Sequence, residues 1–183
     1  ILNLREYYRM ISSGFLHADW IHLILNMYVL YIFSVSSFGV LGYLTIYLGS
    51  LIGGNALALY IHRNDSGYRA LGASGAVNGL IFAAIAALPG IQIWFIPGWL
   101  FGIGYILLSI YGIRKRTGNV GHDAHLGGAI VGVLLAVLFR PEIIATNGWV
   151  IALLIFPAAI FLYLIVTRPE ILVLPVGEVF KSN

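Results

Sequence analysis

Between Ile21 and Ile61 the chain carries no Asp, Glu, Lys or Arg, and between Ala70 and Ile113 it again carries none. These runs are 41 and 44 residues long, and shorter ones follow over Ala124–Phe139 and Ile143–Thr167. An apolar helix needs about 20 residues to cross a bilayer, so each long run must fold back once. The first turns most naturally near Phe38-Gly39; the second turns at Pro89-Gly90, with Pro97-Gly98 as another candidate. Six apolar helices are thereby predicted, over 22–38, 40–61, 74–88, 91–113, 125–139 and 149–167.

The rest of the composition agrees. Charged residues make up 9% of the 183 and hydrophobic ones 60%, against about 25% and 45–50% in a soluble domain. A water-soluble enzyme and a disordered chain are excluded, and an all-α polytopic membrane protein in contact with a lipid bilayer remains. Without cysteine there is no disulfide framework, thiol catalysis or thiolate metal site. The net charge of +3 is no sign of a nucleic-acid partner, because the ten Lys and Arg fall between apolar runs or at the chain ends. Around residues 5–20, Arg5, Glu6 and Arg9 alternate with Tyr7, Tyr8, Phe15 and Trp20, the pattern of an amphipathic interfacial segment. The chain opens at Ile1 rather than methionine, so further sequence upstream is expected.

Two predicted helices are short. Ser74–Leu88 and His125–Phe139 have 15 residues each, about 22 Å against a hydrocarbon core of about 30 Å. Proline stops both, at Pro89 and Pro141. Helices 22–38, 74–88 and 125–139 are separated by single spans and run the same way, so His22, Ser74 and His125 share one end of the bundle. That end also receives most of the Lys and Arg, including Arg5, Arg9, Arg63, Arg69 and Arg114–Arg116, with Arg140 opposite. The positive-inside rule taken alone would turn that end to the cytoplasm, and the sequence leaves the orientation open.

Gly72-Ala73-Ser74-Gly75 places a serine at a helix N-terminus, where free N–H groups and the helix dipole favour developing negative charge. By itself the pattern more often marks a plain N-cap. Gly75 and Gly79 follow on one face of that helix, and Gly128 and Gly132 follow His125 on the other. Two small-residue stripes let backbones approach closely, as a Ser–His hydrogen bond of about 2.6–3.2 Å requires. His17, His22 and Asn26 form the third constellation. His22 and Asn26 project from one helix face, either as oxyanion donors or as an interhelical hydrogen-bond pair. His122, Asp123 and His125 do not follow the H-E-x-x-H metal pattern, and no metal is expected.

Taken together, His-x4-His-x3-Asn at His17, His22 and Asn26, GxSG at Gly72–Gly75, and AHxxGxxxG at Ala124, His125, Gly128 and Gly132 resemble the rhomboid family of intramembrane serine proteases, bacterial type. The resemblance covers residues 5–140. It implies a rhomboid-like helical bundle whose first helix would precede Ile1, with 1–140 as protease core and 141–183 as an added helix and tail. It further implies Ser74 as nucleophile, His125 as general base, and His22 and Asn26 as oxyanion-stabilising groups. Cleavage would fall in or near transmembrane segments of single-pass or polytopic membrane proteins, without cofactor, in a bacterial cell membrane. Many members place an aromatic ring against the catalytic histidine four residues after the nucleophile; here that residue is Asn78, expected to orient His125 by a hydrogen bond. His17 and His122 are possible supporting residues. The polar loops 62–71 and 114–123 are expected to wall a water-filled cavity. The alternative within the family is an inactive rhomboid-like protein that binds transmembrane clients. A transporter would show inverted repeats or ionisable groups at midplane, and the sequence shows neither.

Overall fold

The computed structural model describes residues 6–33, 38–65, 67–115 and 120–172. The mostly helical chain runs α1 (Arg9–Ser12), α2 (Trp20–Ile32), α3 (Gly39–Ile61), α4 (Ser74–Ala87), a hairpin of β1 (Gln92–Ile93) and β2 (Ile96–Pro97), α5 (Gly98–Lys115), α6 (His122–Phe139) and α7 (Glu142–Thr167). α4 is the hub: it touches α2, α3, α5, α6 and α7, and nearly all its residues are buried. Apolar side chains all round such a helix mark it as an interior element.

Three of the described helices, α3, α6 and α7, are long and apolar enough to cross a membrane. The segment 9–15 and α2 would make a fourth as a pair, bent by 99°. Six crossings were expected, and the difference has local causes. α4 has only 14 residues. α2 stops at Ile32, and the rest of its expected span, 34–37, lies outside the described residues. In the fourth predicted helix, 91–113, the chain turns at Pro97-Gly98 rather than continuing from 91. Ile93 pairs with Ile96 across a tight turn, Trp94 takes φ 57°, and the Gly98 N–H donates to the Ile91 carbonyl at 2.7 Å. α6 starts one turn earlier than expected, at His122, which places His125 inside the helix rather than at its end.

Glycine determines how the hub is packed. A Cβ on Gly128 would collide with the Gly75 carbonyl, and one on Gly132 with the Gly79 carbonyl, so α4 and α6 meet backbone to backbone. On the other side of α6, a Cβ on Gly127 would lie 2.9 Å from the Gly53 carbonyl of α3. Ser50 of α3, fully buried, occupies the space a Gly79 side chain would need. Between helices in lipid there is no hydrophobic drive, and such contacts supply the dispersion energy that replaces it.

The far end of α4 is closed by a side chain from α7. Asn147, at a non-helical position (φ −128°, ψ 19°), donates its amide to the carbonyls of Ala86 and Ala87 at 3.0 and 2.9 Å. These carbonyls end a helix and would otherwise be unpaired.

Two outcomes are expected. Gly128→Val must separate α4 from α6 and should destabilise the bundle by about 1–3 kcal/mol, read as a lower thermal midpoint in detergent. Asn147→Leu leaves both carbonyls without a donor and should cost about 1–2 kcal/mol in the same assay.

Candidate functional site

Ser74 opens α4 directly after a turn that only glycine permits. Gly72 has φ +106°, and a Cβ there would also lie 2.6 Å from Cε1 of His22. The Gly72 N–H donates to the Ser13 carbonyl at 2.9 Å, which pins the turn to the segment beyond α1. The imidazole of His22 therefore rests on the glycine two residues before Ser74. It is delivered by the first turn of α2, whose N-cap, Asp19, accepts from the His22 backbone N–H at 2.7 Å. His17 stands edge-on to His22 with ring centroids 5.1 Å apart, and its buried Nε2 has no partner among the described residues.

From the facing helix, His125 presents Nε2 to Ser74 Oγ at 2.7 Å. The glycine contacts just below make this possible, because a serine side chain is too short to bridge helices spaced by larger residues. Both residues are half-buried. The other ring nitrogen of His125, Nδ1, is 2.9 Å from the Tyr105 hydroxyl on α5. His122, one turn earlier, stands edge-on to His125 at 6.5 Å and packs its ring over Gly112.

The structure thus brings Ser74, His125, His22 and Gly72 together, with His17 and His122 behind the two histidines. Asn26 is buried, but its amide donates to the His22 carbonyl at 2.9 Å, one turn back along its own helix. Asn78 does not hydrogen-bond to His125 as expected. It too bonds back along its helix, to the Ser74 carbonyl at 2.9 Å, because that acceptor lies directly below it on the same face.

Two features went unread in the sequence. One is Tyr105, embedded in an apolar helix with nothing to distinguish it from a lipid-facing aromatic. The other is a clamp around Asp123. This buried carboxylate accepts from the Tyr68 hydroxyl at 2.9 Å, from His62 Nε2 at 2.8 Å and from the Ala124 N–H at 2.8 Å. His62 and Tyr68 stack face to face at 3.6 Å. Burial first, then the charge of Asp123 and the hydrogen bond to it, hold the Tyr68 phenol protonated well above its ordinary range. The clamp's donor therefore survives neutral and alkaline pH and is lost only as pH rises through that elevated value. The loop it anchors lines, with α1 and the end of α3, an open groove of about 1300 Å³ that includes Arg9, Arg63 and Arg69. Of the second expected wall, residues 116–119 lie outside the described residues.

The Rhomboid domain family matches residues 4–142 of the chain. RHOMBOID-like protein 12, mitochondrial, of Arabidopsis thaliana is 32% identical over 148 residues, covering 68% of this chain and 44% of that protein. Presenilin-associated rhomboid-like protein A, mitochondrial, of Danio rerio is 34% identical over 137 residues, 68% of this chain and 35% of its own. Rhomboid protein 1, mitochondrial, of Saccharomyces cerevisiae is 31% identical over 136 residues, 68% of this chain and 39% of its own. The chain spans less than half the length of these relatives. They are eukaryotic and named as mitochondrial, so they lend no support to the expected bacterial type or bacterial cell membrane. No solved structure matches the chain.

Asp123→Ala would leave Tyr68 and His62 without their acceptor, at a cost of about 1–3 kcal/mol. The expected result is faster proteolytic nicking in the 62–71 loop of the detergent-solubilised protein, with the helical core still protected.

Proposed function

Since the chain belongs to the Rhomboid domain family, we propose that it is an intramembrane serine endopeptidase working through a Ser74–His125 dyad. The observation that carries this reading is the 2.7 Å contact between Ser74 Oγ and His125 Nε2 at the N-terminus of a helix inside an apolar bundle.

The chemistry is acyl transfer. Ser74 Oγ attacks the scissile carbonyl carbon while His125 Nε2 takes the hydroxyl proton. The resulting oxyanion forms next to the first turn of α4, whose backbone N–H groups have no partner within the helix. His22, held over Gly72, and the amide hydrogen of Asn26 left free by its bond to the His22 carbonyl are the side-chain donors. Collapse of the tetrahedral intermediate breaks the C–N bond, and His125 gives its proton to the departing amine. Water then adds to the acyl-serine with His125 again as base, releasing the new carboxyl terminus and restoring the hydroxyl.

The substrates are transmembrane segments of other membrane proteins, or sequences next to them. α4 is about 21 Å long at 1.5 Å per residue, shorter than the hydrocarbon core, so Ser74 lies below the membrane surface if the far end of α4 reaches the opposite one. A peptide bond in an intact helix is shielded by its own hydrogen bonds, which favours substrates with helix-breaking residues near the cleavage point. No metal or cofactor enters any step. The relatives favour a mitochondrial membrane over a bacterial one as the location.

The test is fluorophosphonate labelling of the purified protein in detergent, with peptide mapping. Label is expected on Ser74, and Ser74→Ala and His125→Ala should each abolish it and lower cleavage of a transmembrane reporter by at least roughly a thousandfold. A folded wild-type protein that takes no label and cleaves nothing would overturn the protease reading in favour of client binding.

A further inference from the structure

For His125 to accept a proton from Ser74, Nε2 must be bare, and the ring's single proton must then sit on Nδ1. In water the two tautomers interconvert freely, so something must hold the proton there. A carboxylate commonly does this in serine hydrolases, and the one nearest in sequence is Asp123. Its oxygens are taken by Tyr68, His62 and the Ala124 N–H. Nδ1 instead has one described partner, the Tyr105 hydroxyl, at 2.9 Å.

We infer that Tyr105 is the positioning residue of this site: its oxygen accepts the Nδ1–H bond of His125, fixing the tautomer and ring orientation that leave Nε2 free to deprotonate Ser74. The inference rests on the dyad reading above and adds to it a third member from α5, a neutral phenol in place of a carboxylate. Its geometry is held from two sides. Phe101, one turn earlier on α5, stacks on the Tyr105 ring at 5.6 Å and 26°, and Phe82 of α4 meets it at 5.8 Å and 59°. Because α4 supplies the serine, α6 the histidine and α5 the tyrosine, the line of hydrogen bonds closes only when three helices are in register.

Tyr105→Phe keeps the ring and its stacking and removes only the acceptor. In the full protein in detergent it should retain the wild-type thermal midpoint within a few degrees. The fluorophosphonate labelling rate of Ser74, and kcat on a transmembrane reporter, should fall roughly tenfold to a hundredfold with little change in KM. The independent reading is the ¹⁵N spectrum of His125, assigned by difference from His125→Gln. The wild type should show a protonated Nδ1 and a bare Nε2, and Tyr105→Phe a mixture of tautomers. An unchanged tautomer and unchanged labelling in Tyr105→Phe would overturn the inference while leaving the dyad intact. If the wild type takes no label, the dyad reading fails, and the spectrum still decides whether Tyr105 sets the tautomer.

Discussion

Everything at the polar end of this bundle depends on α4 and α6 touching through their backbones. Membrane helices gain nothing hydrophobic by leaving lipid for each other, so close association must come from fit. Gly75 and Gly79 against Gly128 and Gly132 supply that fit, with Ser50 filling the space beside Gly79. The consequence is geometric as much as energetic. Only at this separation can a serine hydroxyl on one helix reach an imidazole nitrogen on the next at 2.7 Å. Glycines that would weaken a soluble helix by about 1 kcal/mol each are therefore the residues that bring Ser74 and His125 together.

A helix that starts as late as α4 creates a second problem. The chain between α3 and Ser74 is irregular, and N–H and C=O groups of irregular backbone packed against a bundle are costly to leave unpaired. The structure answers with bonds to distant segments. The Gly72 N–H goes to the Ser13 carbonyl, Tyr68 and His62 go to Asp123, and Asn55 of α3 donates to the Met10 carbonyl and to Ser13 Oγ at 2.7 and 3.0 Å. The segment around α1 thus acts as a strut beneath the loop. Its amphipathic sequence gave no sign of which partners it would have.

What the sequence made legible is what glycine, proline and polar residues announce against an apolar background. The GxSG turn, the paired stripes and the shared end of His22, Ser74 and His125 were readable because each breaks the monotony of the runs around it. Segment ends were readable to within a few residues where proline stopped the helix. The start of α5 was displaced because the Ile93–Ile96 pairing is a local hairpin that apolar patterning cannot separate from helix. Tyr105 was invisible for a related reason: a tyrosine among Phe, Leu and Ile in an apolar helix gives no periodic signal, and its contact with His125 depends wholly on which helix faces it. Asn78 turns to the serine's own carbonyl, an acceptor any helix offers four residues back, and residue spacing does not rank that acceptor against a partner on another helix.

The division of labour between Asp123 and His125 follows from helix geometry. Residues two apart on an α-helix point about 200° away from each other, so on α6 a carboxylate at 123 cannot serve an imidazole at 125. It faces the 62–71 loop and is fully engaged there. His125 faces α4 and α5, where the groups able to meet its two nitrogens are a serine and a tyrosine. One helical turn therefore carries both the clamp that ties down the loop preceding Ser74 and the imidazole that contacts Ser74. The loop is thus held at two points, by Asp123 through Tyr68 and His62 and by Ser13 through the Gly72 N–H, before the chain enters α4 at Ser74.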